Sequence, residues 1–427
     1  MILTLPPAVS ELIGALERAG YPAYVVGGCV RDGLMGRTPY DWDICTAATP
    51  EQMAVCLEGY RLLPTGIRHG TLTALVGGMP YEITTLRADG AYTDHRRPDA
   101  VRYVGDLRED LARRDFTINA MAYHPREGLT DPFGGREDLA RKLVRCVGDP
   151  IRRFDEDALR ILRALRFAAV CGFTVDPSTA KAMRAQSALL AHIARERVRA
   201  EAEKLLAAPE PARGLDGFAD VLRAAMPGLR PLTDDPAAWA RAVARIQAVA
   251  KRKAERAHSR ALQRAAFPGV SPSAVPWTAL LWELEPPEAA SALLRGLRCD
   301  NATRACVEAL LGAREMPLSG ERALLCGLRA LDAHRMRALL AVRTADADGN
   351  GDRIAALSET ADTLEGLLEK GACYRTAHLA VHGGDLLALG LKGATVGRTL
   401  EALLTEVIEG RAPNERGALL RRARGEV

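Results

Sequence analysis

Aromatic residues make up only 5% of this 427-residue chain, whereas hydrophobic residues of all kinds make up 48%. A core with so few large rings packs mainly through alanine and leucine, which favours helices. Charged residues make up 26%, a share typical of folded globular proteins rather than of disordered ones.

Long apolar runs are also missing. No stretch approaches the roughly 20 successive apolar residues that a membrane-spanning helix needs. The opening "MILTLPPAVS" has no basic start, and its apolar run stops at two prolines, which excludes a secretory signal or an anchor. The sequence therefore predicts a cytoplasmic protein with no membrane partner.

Paired cysteines and a strong net charge are absent as well. The nine cysteines are odd in number and scattered, without the close spacing of a zinc site or redox motif, so we expect reduced and mostly buried thiols. The formal charge of +4 arises from 58 basic and 54 acidic residues. This small excess permits a polyanionic partner without requiring one.

The pattern along the chain indicates two kinds of structure. Up to about residue 125, short β-branched runs such as "AYVVGG", "DWDICT" and "YEITTLR" predict strands, with helices between them. From about residue 150 onward, alanine, leucine and arginine recur at helical spacing and strand signals nearly vanish. The expected fold class is α+β, a small mixed sheet followed by an almost all-helical remainder.

The stretch "GGCVRDGLMGRTPYDWDICT" carries the first chemistry. On a strand, Asp41 and Asp43 point to the same face and repel unless a cation lies between them. Oxygen-only ligands favour Mg²⁺, which often shares its coordination with phosphates. Gly28 lets backbone N–H groups approach a triphosphate, and Arg31 can pair with its oxygens. The alternative is a tight turn followed by a capped loop.

A third carboxylate is wanted for a two-metal site. Glu82 is the best candidate, because its strand should neighbour that of the aspartates. The alternative interpretation is a glutamate on a solvated strand face.

Two further stretches carry charged residues beside apolar ones. Arg113, Arg114 and Asp115 directly precede the apolar "FTINAMAY", where they can face a nucleotide or form a solvated edge. In "DEDALRILRALRF", a helical wheel gathers charged residues on one side and apolar residues on the other. The charged set is Glu156, Asp157, Arg160, Arg163 and Arg166, and a merely solvated face is the alternative.

Together these stretches resemble the class II CCA-adding enzymes, tRNA nucleotidyltransferases of the polymerase beta-like superfamily. The matching segments occur in the family's order: "GGCVRDGLMGRTPYDWDICT", "RRDFTINAMAY", "EDALRILRALRF" and "ARERVRAEAEKLL", with "GGDLLALGLKGATVGRTLEALLTEVIEGRAPNE" near the end. The resemblance implies a catalytic head at 1–145, a neck at 146–215 that recognises the base, a helical body at 216–360 and a tRNA-binding tail at 361–427.

The resemblance also implies the roles of individual residues. Asp41 and Asp43 would hold Mg²⁺ ions that activate the tRNA 3′-hydroxyl and stabilise the departing pyrophosphate. Glu82 would be the third carboxylate, and Gly28 and Arg31 would hold the triphosphate. Asp115, with Arg113 or Arg114, would favour a ribonucleotide; which arginine contacts it stays open.

Asp157 and Arg160 would read the base of CTP or ATP. Cytosine and adenine each present an amino donor beside a ring-nitrogen acceptor, whereas uracil and guanine present a carbonyl beside an N–H. A carboxylate and a guanidinium satisfy the first pair and leave groups unsatisfied against the second. Arg163 and Arg166 would suit phosphate or base-stacking contacts.

Several alternatives stay open at this point. Enzymes that add only A or only CC, bacterial poly(A) polymerases and a non-catalytic RNA-binding protein share the scaffold. Residues 84–103 resemble the family's flexible loop, which favours full CCA or A addition, and no His-Asp pair of an added phosphohydrolase domain is found. The oligomeric state is not predicted.

Overall fold

The computed structural model describes residues 3–67, 70–90, 101–258 and 270–426. It divides into two compact units, Met1–Pro227 and Gly228–Val427. A mixed sheet lies in the first unit and the rest is mostly helical, which confirms the α+β prediction. The finer division at 145, 215 and 360 stays a prediction. Residues 91–100 of the expected flexible loop lie outside the described residues.

The strands fall almost entirely in the first 145 residues, as expected. They are β1 (Ala23–Val26), β2 (Asp43–Thr46), β3 (Arg61–Gly66), β4 (Thr71–Val76), β5 (Met79–Thr85), β6 (Arg87–Asp89), β7 (Val101–Tyr103), β8 (Ala122–His124), β9 (Gly128–Thr130), β10 (Leu143–Val144) and β11 (Thr174–Val175). Seven of them form one sheet in the described part of the chain, in the order β3-β4-β5-β2-β1-β8-β9.

The central sheet is mixed, because β2 and β5 run parallel while the neighbouring pairs are antiparallel. Both of its faces are buried. Val25 and Ile44 belong to one apolar cluster, whereas Val26 and Cys45 belong to another on the opposite face. This alternation follows the two-residue period of a strand. Burial raises the pKa of the Cys45 thiol to about 12, which makes it an inert part of the core.

The helices of the first unit surround this sheet and continue beyond it. They are α1 (Pro7–Arg18), α2 (Gly28–Leu34), α3 (Pro50–Cys56), α4 (Leu107–Ala112), α5 (Gly135–Ala140), α6 (Pro150–Glu156), α7 (Leu159–Cys171), α8 (Pro177–Ala185), α9 (Arg195–Leu206), α10 (Ala212–Leu215) and α11 (Ala219–Ala225). Helix α3 begins with the capping box that Thr49 and Gln52 form, as its sequence indicates.

One expected helix is broken. The charged and apolar faces of "DEDALRILRALRF" predict a continuous helix, but Asp157 has the extended φ and ψ of −145° and 101°. It ends α6, and its carboxylate accepts a hydrogen bond from Leu159 N at 3.1 Å as α7 begins. A short carboxylate that bonds the backbone in this way favours a helix start over a helix interior.

Among the residues described in the second unit, all the regular elements are helices. Its helices are α12 (Arg230–Thr233), α13 (Pro236–His258), α14 (Ala274–Leu281), α15 (Pro287–Gly296), α16 (Asn301–Gly312), α17 (Glu321–Asp346), α18 (Gly351–Glu369), α19 (Gly383–Ala388), α20 (Ala394–Ile408) and α21 (Arg416–Ala423). The last two share an apolar cluster that includes Leu403 and Leu404 of α20 and Leu419 of α21. Among the helices described, none is long and apolar enough to cross a membrane.

We expect Gly214→Ala to destabilise the first unit. A Cβ at Gly214 would lie 2.3 Å from the Leu165 carbonyl oxygen of α7, so α10 could not keep its place against α7. Overpacking of this kind costs about 1–3 kcal/mol, measurable as a lower urea midpoint. Gly366→Ala is the control, since it meets no atom within 4 Å inside α18 and should be neutral or stabilising. Equal stability of the Gly214 variant and wild type would contradict this packing.

Candidate active site

A glycine turn opens the site between β1 and α2. Gly27 has φ 80° and ψ −126°, a conformation that side-chain-bearing residues rarely adopt. A Cβ there would lie 3.0 Å from Arg114 Nη1. The missing side chain therefore permits both the turn and the approach of this arginine. Among the described residues, no side chain caps the helix that begins at Gly28, so its first N–H groups suit an anionic ligand.

The two aspartates lie beside this turn, with one difference from the expectation. Strand β2 begins at Asp43, so Asp41 precedes the strand instead of lying on it. Both aspartates are nevertheless exposed, while Trp42 packs against the apolar core. Trp42 therefore faces the side opposite to that of the two aspartates, as alternation predicts.

Glu82 lies next to Asp43 on the neighbouring strand. The two residues are register partners in the parallel β2–β5 pair, which confirms that the strand of Glu82 neighbours the aspartates. Within the described residues, no group of three or more His, Cys, Asp or Glu is gathered closely enough to hold a metal. A metal at this place would thus need oxygen ligands from a substrate as well, and the role of Glu82 as a ligand stays a prediction.

The negative charges near Asp43 are incompletely balanced. Asp43 reaches solvent, yet the protein atoms around its carboxylate partly desolvate it. This desolvation raises the pKa of Asp43 most, the charge of Glu82 raises it further, and Arg114 only partly offsets the two. A cation bound between the carboxylates would relieve this repulsion. The donor set therefore fits a hard divalent ion such as Mg²⁺.

Arg31 is held inside the protein rather than presented to solvent. It is 7% exposed, forms a bidentate ion pair with Asp32 and donates to Asn119 Oδ1 at 2.7 Å. The sequence expectation of a phosphate contact requires Arg31 to exchange one of these bonds. Its charge nonetheless lies one helical turn from the glycine turn.

The paired arginines before the apolar segment take different positions. The buried carboxylate of Asp110 accepts from both Arg113 and Arg114, at 2.7 and 3.2 Å. Burial opposes ionisation of Asp110, but these two cations hold its pKa below the usual range. Arg113 also donates to the Arg87 carbonyl. The positive charge of Arg114 instead lowers the pKa of Asp43, and its guanidinium lies close to Gly27. Arg114 is therefore the arginine nearer the candidate metal and triphosphate site.

The carboxylate of Asp115 is buried, and both of its oxygens accept hydrogen bonds. It accepts four hydrogen bonds, from Phe116 N, Asn119 Nδ2 and two nitrogens of Arg163. Burial opposes its ionisation, but Arg163 outweighs that effect and lowers the pKa of Asp115. These bonds occupy the usual acceptor capacity of a carboxylate. The arrangement favours a role in holding Arg163, and the direct ribose contact stays a prediction.

Asp157 and Arg160 are held by separate partners. Arg160 donates to Glu156 at 2.8 Å, and Asp157 accepts from Arg197 of α9 at 3.0 Å. The two residues thus flank the start of α7 instead of lying one turn apart on one helix. Asp157 keeps acceptor capacity for another donor, because each carboxylate oxygen can accept more than one hydrogen bond.

Three protein-family models match successive parts of this chain. Family models described as "Poly A polymerase head domain", "Probable RNA and SrmB- binding site of polymerase A" and "tRNA nucleotidyltransferase domain 2" match residues 23–145, 172–221 and 270–423. A CCA-adding enzyme of Lactiplantibacillus plantarum is 36% identical over 99% of this chain and 98% of its own length. The chain belongs to the CCA-adding enzymes.

Other relatives and solved structures are similar to part or all of the chain. The CCA-adding enzyme of Geobacillus stearothermophilus is 44% identical over 53% of this chain and 56% of its own. The crystal structure of the Bacillus stearothermophilus CCA-adding enzyme in complex with CTP has a TM-score of 0.76 at 30% identity and covers 99% of both chains. The Thermotoga maritima CCA-adding enzyme complexed with tRNA shares the fold, with a TM-score of 0.69 at 21% identity. As a member of this family, the protein is a nucleotidyltransferase.

Sequence patterns did not single out Phe167, yet it lies at the centre of this CCA-adding enzyme's arginines. The guanidinium carbons of Arg31, Arg163 and Arg166 lie 5.3, 5.4 and 4.0 Å from the centre of its ring. The ring is 6% exposed and packs edge-on against Phe116 at 5.7 Å. In the sequence, its role is indicated only by its position four residues after Arg163 and one residue after Arg166.

Phe167 can hold three like charges together because each also has an acidic partner. Arg166 pairs with Glu201 of α9 at 2.5 Å, as Arg31 pairs with Asp32 and Arg163 with Asp115. The electron-rich face of the ring attracts the cations in addition. Phe167 is thus a positioning residue that links α2 of the sheet region to α7.

We predict that Glu82→Gln lowers the pKa of Asp43 in metal-free protein. The substitution removes a negative charge that raises this pKa, so Asp43 would lose its proton at a lower pH. Carboxyl ¹³C chemical shifts of labelled aspartate measure the titration. Glu58→Gln removes an exposed carboxylate that has no part in the Asp43 shift, and it should leave the titration unchanged. An unchanged Asp43 titration in the Glu82 variant would contradict their coupling.

We predict that Phe167→Leu weakens binding of a nucleoside triphosphate by roughly tenfold, or about 1.4 kcal/mol, because the arginines lose the cation–π contacts that order them before the ligand binds. Leucine keeps an apolar side chain but removes the ring face that orders Arg31 and Arg163. Isothermal titration calorimetry measures the dissociation constant. Phe173→Leu, at a buried ring with no cation over it among the described contacts, controls for the loss of core packing. Unchanged affinity would limit Phe167 to a packing role.

Proposed function

We propose that this protein adds C, C and A in turn to the 3′ end of tRNA, with CTP and ATP as substrates and without a nucleic-acid template. The observation that carries the proposal is the similarity to a CCA-adding enzyme over 99% of the chain. The site supports it, because the Asp41–Asp43 pair, the glycine turn and the arginines of α7 lie in one unit. A cytoplasmic location suits this substrate.

The reaction would be attack of a tRNA 3′-hydroxyl on the α-phosphate of the nucleotide. A phosphodiester bond forms, the bond between the α- and β-phosphates breaks, and pyrophosphate and the hydroxyl proton are released. Metal dependence is typical of nucleotidyltransferases, and Asp41 and Asp43 would hold Mg²⁺, with Glu82 beside them. Bound Mg²⁺ supplies charge neutralisation for the phosphates and a lower pKa for the attacking hydroxyl. The protein itself contributes positioning and electrostatic stabilisation, and the step needs no covalent enzyme intermediate.

The triphosphate would lie against the glycine turn. Gly28 offers backbone N–H groups, and Arg114 offers the nearest guanidinium, with its Nη1 close to Gly27. Arg31 contributes charge from beneath the turn. For the ribose, Asp115 holds Arg163 in place, and Arg163 remains partly exposed, at 34% for its side chain. This arrangement would place a guanidinium, rather than the Asp115 carboxylate, toward the ribose.

Base choice would rest on Asp157 and Arg160. Asp157 can accept from the exocyclic amino group of cytosine or adenine while it stays bonded to Arg197. Arg160 supplies the permanent donor for the ring nitrogen, and Glu156 orients it. With uracil or guanine, the Asp157 carboxylate would face a carbonyl acceptor and the Arg160 guanidinium would face an N–H donor, which costs binding energy.

The decisive experiment gives the purified protein tRNA ending at the discriminator base, with CTP alone, ATP alone or both, and sequences the 3′ ends. We expect CC with CTP alone, no addition with ATP alone, and CCA with both. Runs of A with ATP alone would indicate a poly(A) polymerase. Addition of A only to tRNA that already ends in CC would indicate an A-adding enzyme, and CC as the final product a CC-adding enzyme.

We predict that Asp41→Ala or Asp43→Ala abolishes incorporation while tRNA binding persists, since the carboxylates act on the metal rather than on the RNA. Arg160→Ala should relax the preference for C and A or reduce incorporation of both. Labelled-nucleotide incorporation and a filter-binding assay measure the two properties separately. Incorporation at the wild-type rate by either aspartate variant would contradict the assignment, as would an unchanged base preference in the Arg160 variant.

A further inference from the structure

A polar cavity of about 280 Å³ lies within the second unit, among residues that the proposed reaction does not use. Its lining comes mainly from α17, α18 and the segment that joins α16 to α17. Three guanidinium groups, two carboxylates and one serine hydroxyl belong to this lining. They are those of Arg314, Arg343, Arg353, Glu315, Asp346 and Ser319. The size and polarity of the cavity suit a small charged ligand.

The two carboxylates of the cavity already have cationic partners. Glu315 accepts a hydrogen bond from Arg314 Nε at 3.2 Å, and Asp346 accepts one from the buried Arg245 at 2.8 Å. Arg353 also reaches Asp346, but at the longer distance of 3.4 Å. Because Arg314 and Arg245 neutralise these carboxylates, neither of them is left to balance the remaining arginine of the lining.

That remaining arginine, Arg343, has carbonyl partners instead of a carboxylate. Its Nη2 donates to the carbonyls of Ala313, Arg314 and Met316 at 3.0, 2.6 and 2.6 Å, just after α16 ends. In the part of the chain that the structure describes, Arg343 forms no ion pair, and its Nε is buried without a hydrogen-bond partner. The carbonyls thus fix the guanidinium in place, while its charge and its Nη1 donors stay available to a ligand.

The charges of Arg343 and Arg353 lie close enough to repel each other. Burial lowers the pKa of Arg343 most, Glu315 raises it, and the like charge of Arg353 lowers it again. The two arginines belong to α17 and α18, which pack against each other, so the repulsion is built into the helix pair. An anion bound between the two guanidinium groups would relieve it.

We propose that this cavity binds a small oxoanion of the phosphate class between Arg343 and Arg353, with the Ser319 hydroxyl as a further donor. Guanidinium groups match the oxygens of such an anion in geometry and charge. The cavity belongs to the second unit, whereas the candidate nucleotide site belongs to the first. The anion is therefore a ligand other than the triphosphate, and the inference does not depend on the proposed function.

The test measures binding of inorganic phosphate to the full chain by isothermal titration calorimetry, at an ionic strength held constant with chloride. Arg353→Gln should weaken binding by about tenfold or more, because it removes a charged hydrogen-bond donor. Arg353 is the residue to change, since it is 54% exposed, whereas substitution of Arg343 would also break the carbonyl bonds that hold the fold. Arg322→Gln is the matched control, because Arg322 is an exposed, ion-paired arginine of the same unit that does not line the cavity.

Two further arms identify where phosphate binds and in what form. Arg114→Gln alters the candidate triphosphate site and should leave this phosphate affinity unchanged. A filter-binding assay with tRNA should give the same dissociation constant for wild type and Arg353→Gln, since the cavity takes a small anion rather than the RNA backbone.

Four outcomes would overturn the proposal. Absence of phosphate binding by wild type would do so, as would wild-type affinity in the Arg353 variant or an equal loss in the Arg322 variant. Loss of the phosphate affinity in Arg114→Gln would assign the anion to the nucleotide site. Weaker tRNA binding by Arg353→Gln would assign the arginine to RNA phosphates instead of a small ligand.

Discussion

The arrangement of the first unit depends on the ion pair between Asp115 and Arg163. A buried carboxylate is costly unless its charge is neutralised and its oxygens are bonded. Arg163 does both, and Asn119 completes the bonding of the same carboxylate. Because Asp115 belongs to the sheet region and Arg163 to α7, this pair joins the two parts from which a nucleotide site would be built.

From Asp115 the network continues to the glycine turn. Asn119 accepts from Arg31, which is paired with Asp32 on α2. The ring of Phe167 lies beneath Arg31 and Arg163, so the hydrogen bonds and the cation–π contacts order the same side chains. Guanidinium groups held in this way lose little further side-chain freedom when a nucleotide binds, which is the physical meaning of a preorganised site.

The cationic side chains near the two ends of α7 differ in whether carboxylates neutralise them. At its beginning, arginines are paired with carboxylates and partly buried, which suits a small ligand that must be held in one geometry. Beyond its end, Lys142 and Arg213 are exposed and without ion pairs among the described residues. The cations near the two ends of α7 thus differ in how far they are neutralised.

The sequence by itself determined which local elements form and which residues carry chemistry. The alternation of apolar and charged residues indicated that Trp42 faces the core and that the aspartates lie outside it, although β2 begins only at Asp43, and helical periodicity marked the buried face of α7. Only the tertiary structure decided the partners, because residues 48 positions apart, such as Asp115 and Arg163, meet through packing that no local pattern encodes. It likewise set the register that pairs Asp43 with Glu82 on the neighbouring strands that the sequence predicted, and it ended α6 at Asp157. Local periodicity reports which face a side chain takes, whereas burial of charge selects the residue that must neutralise it.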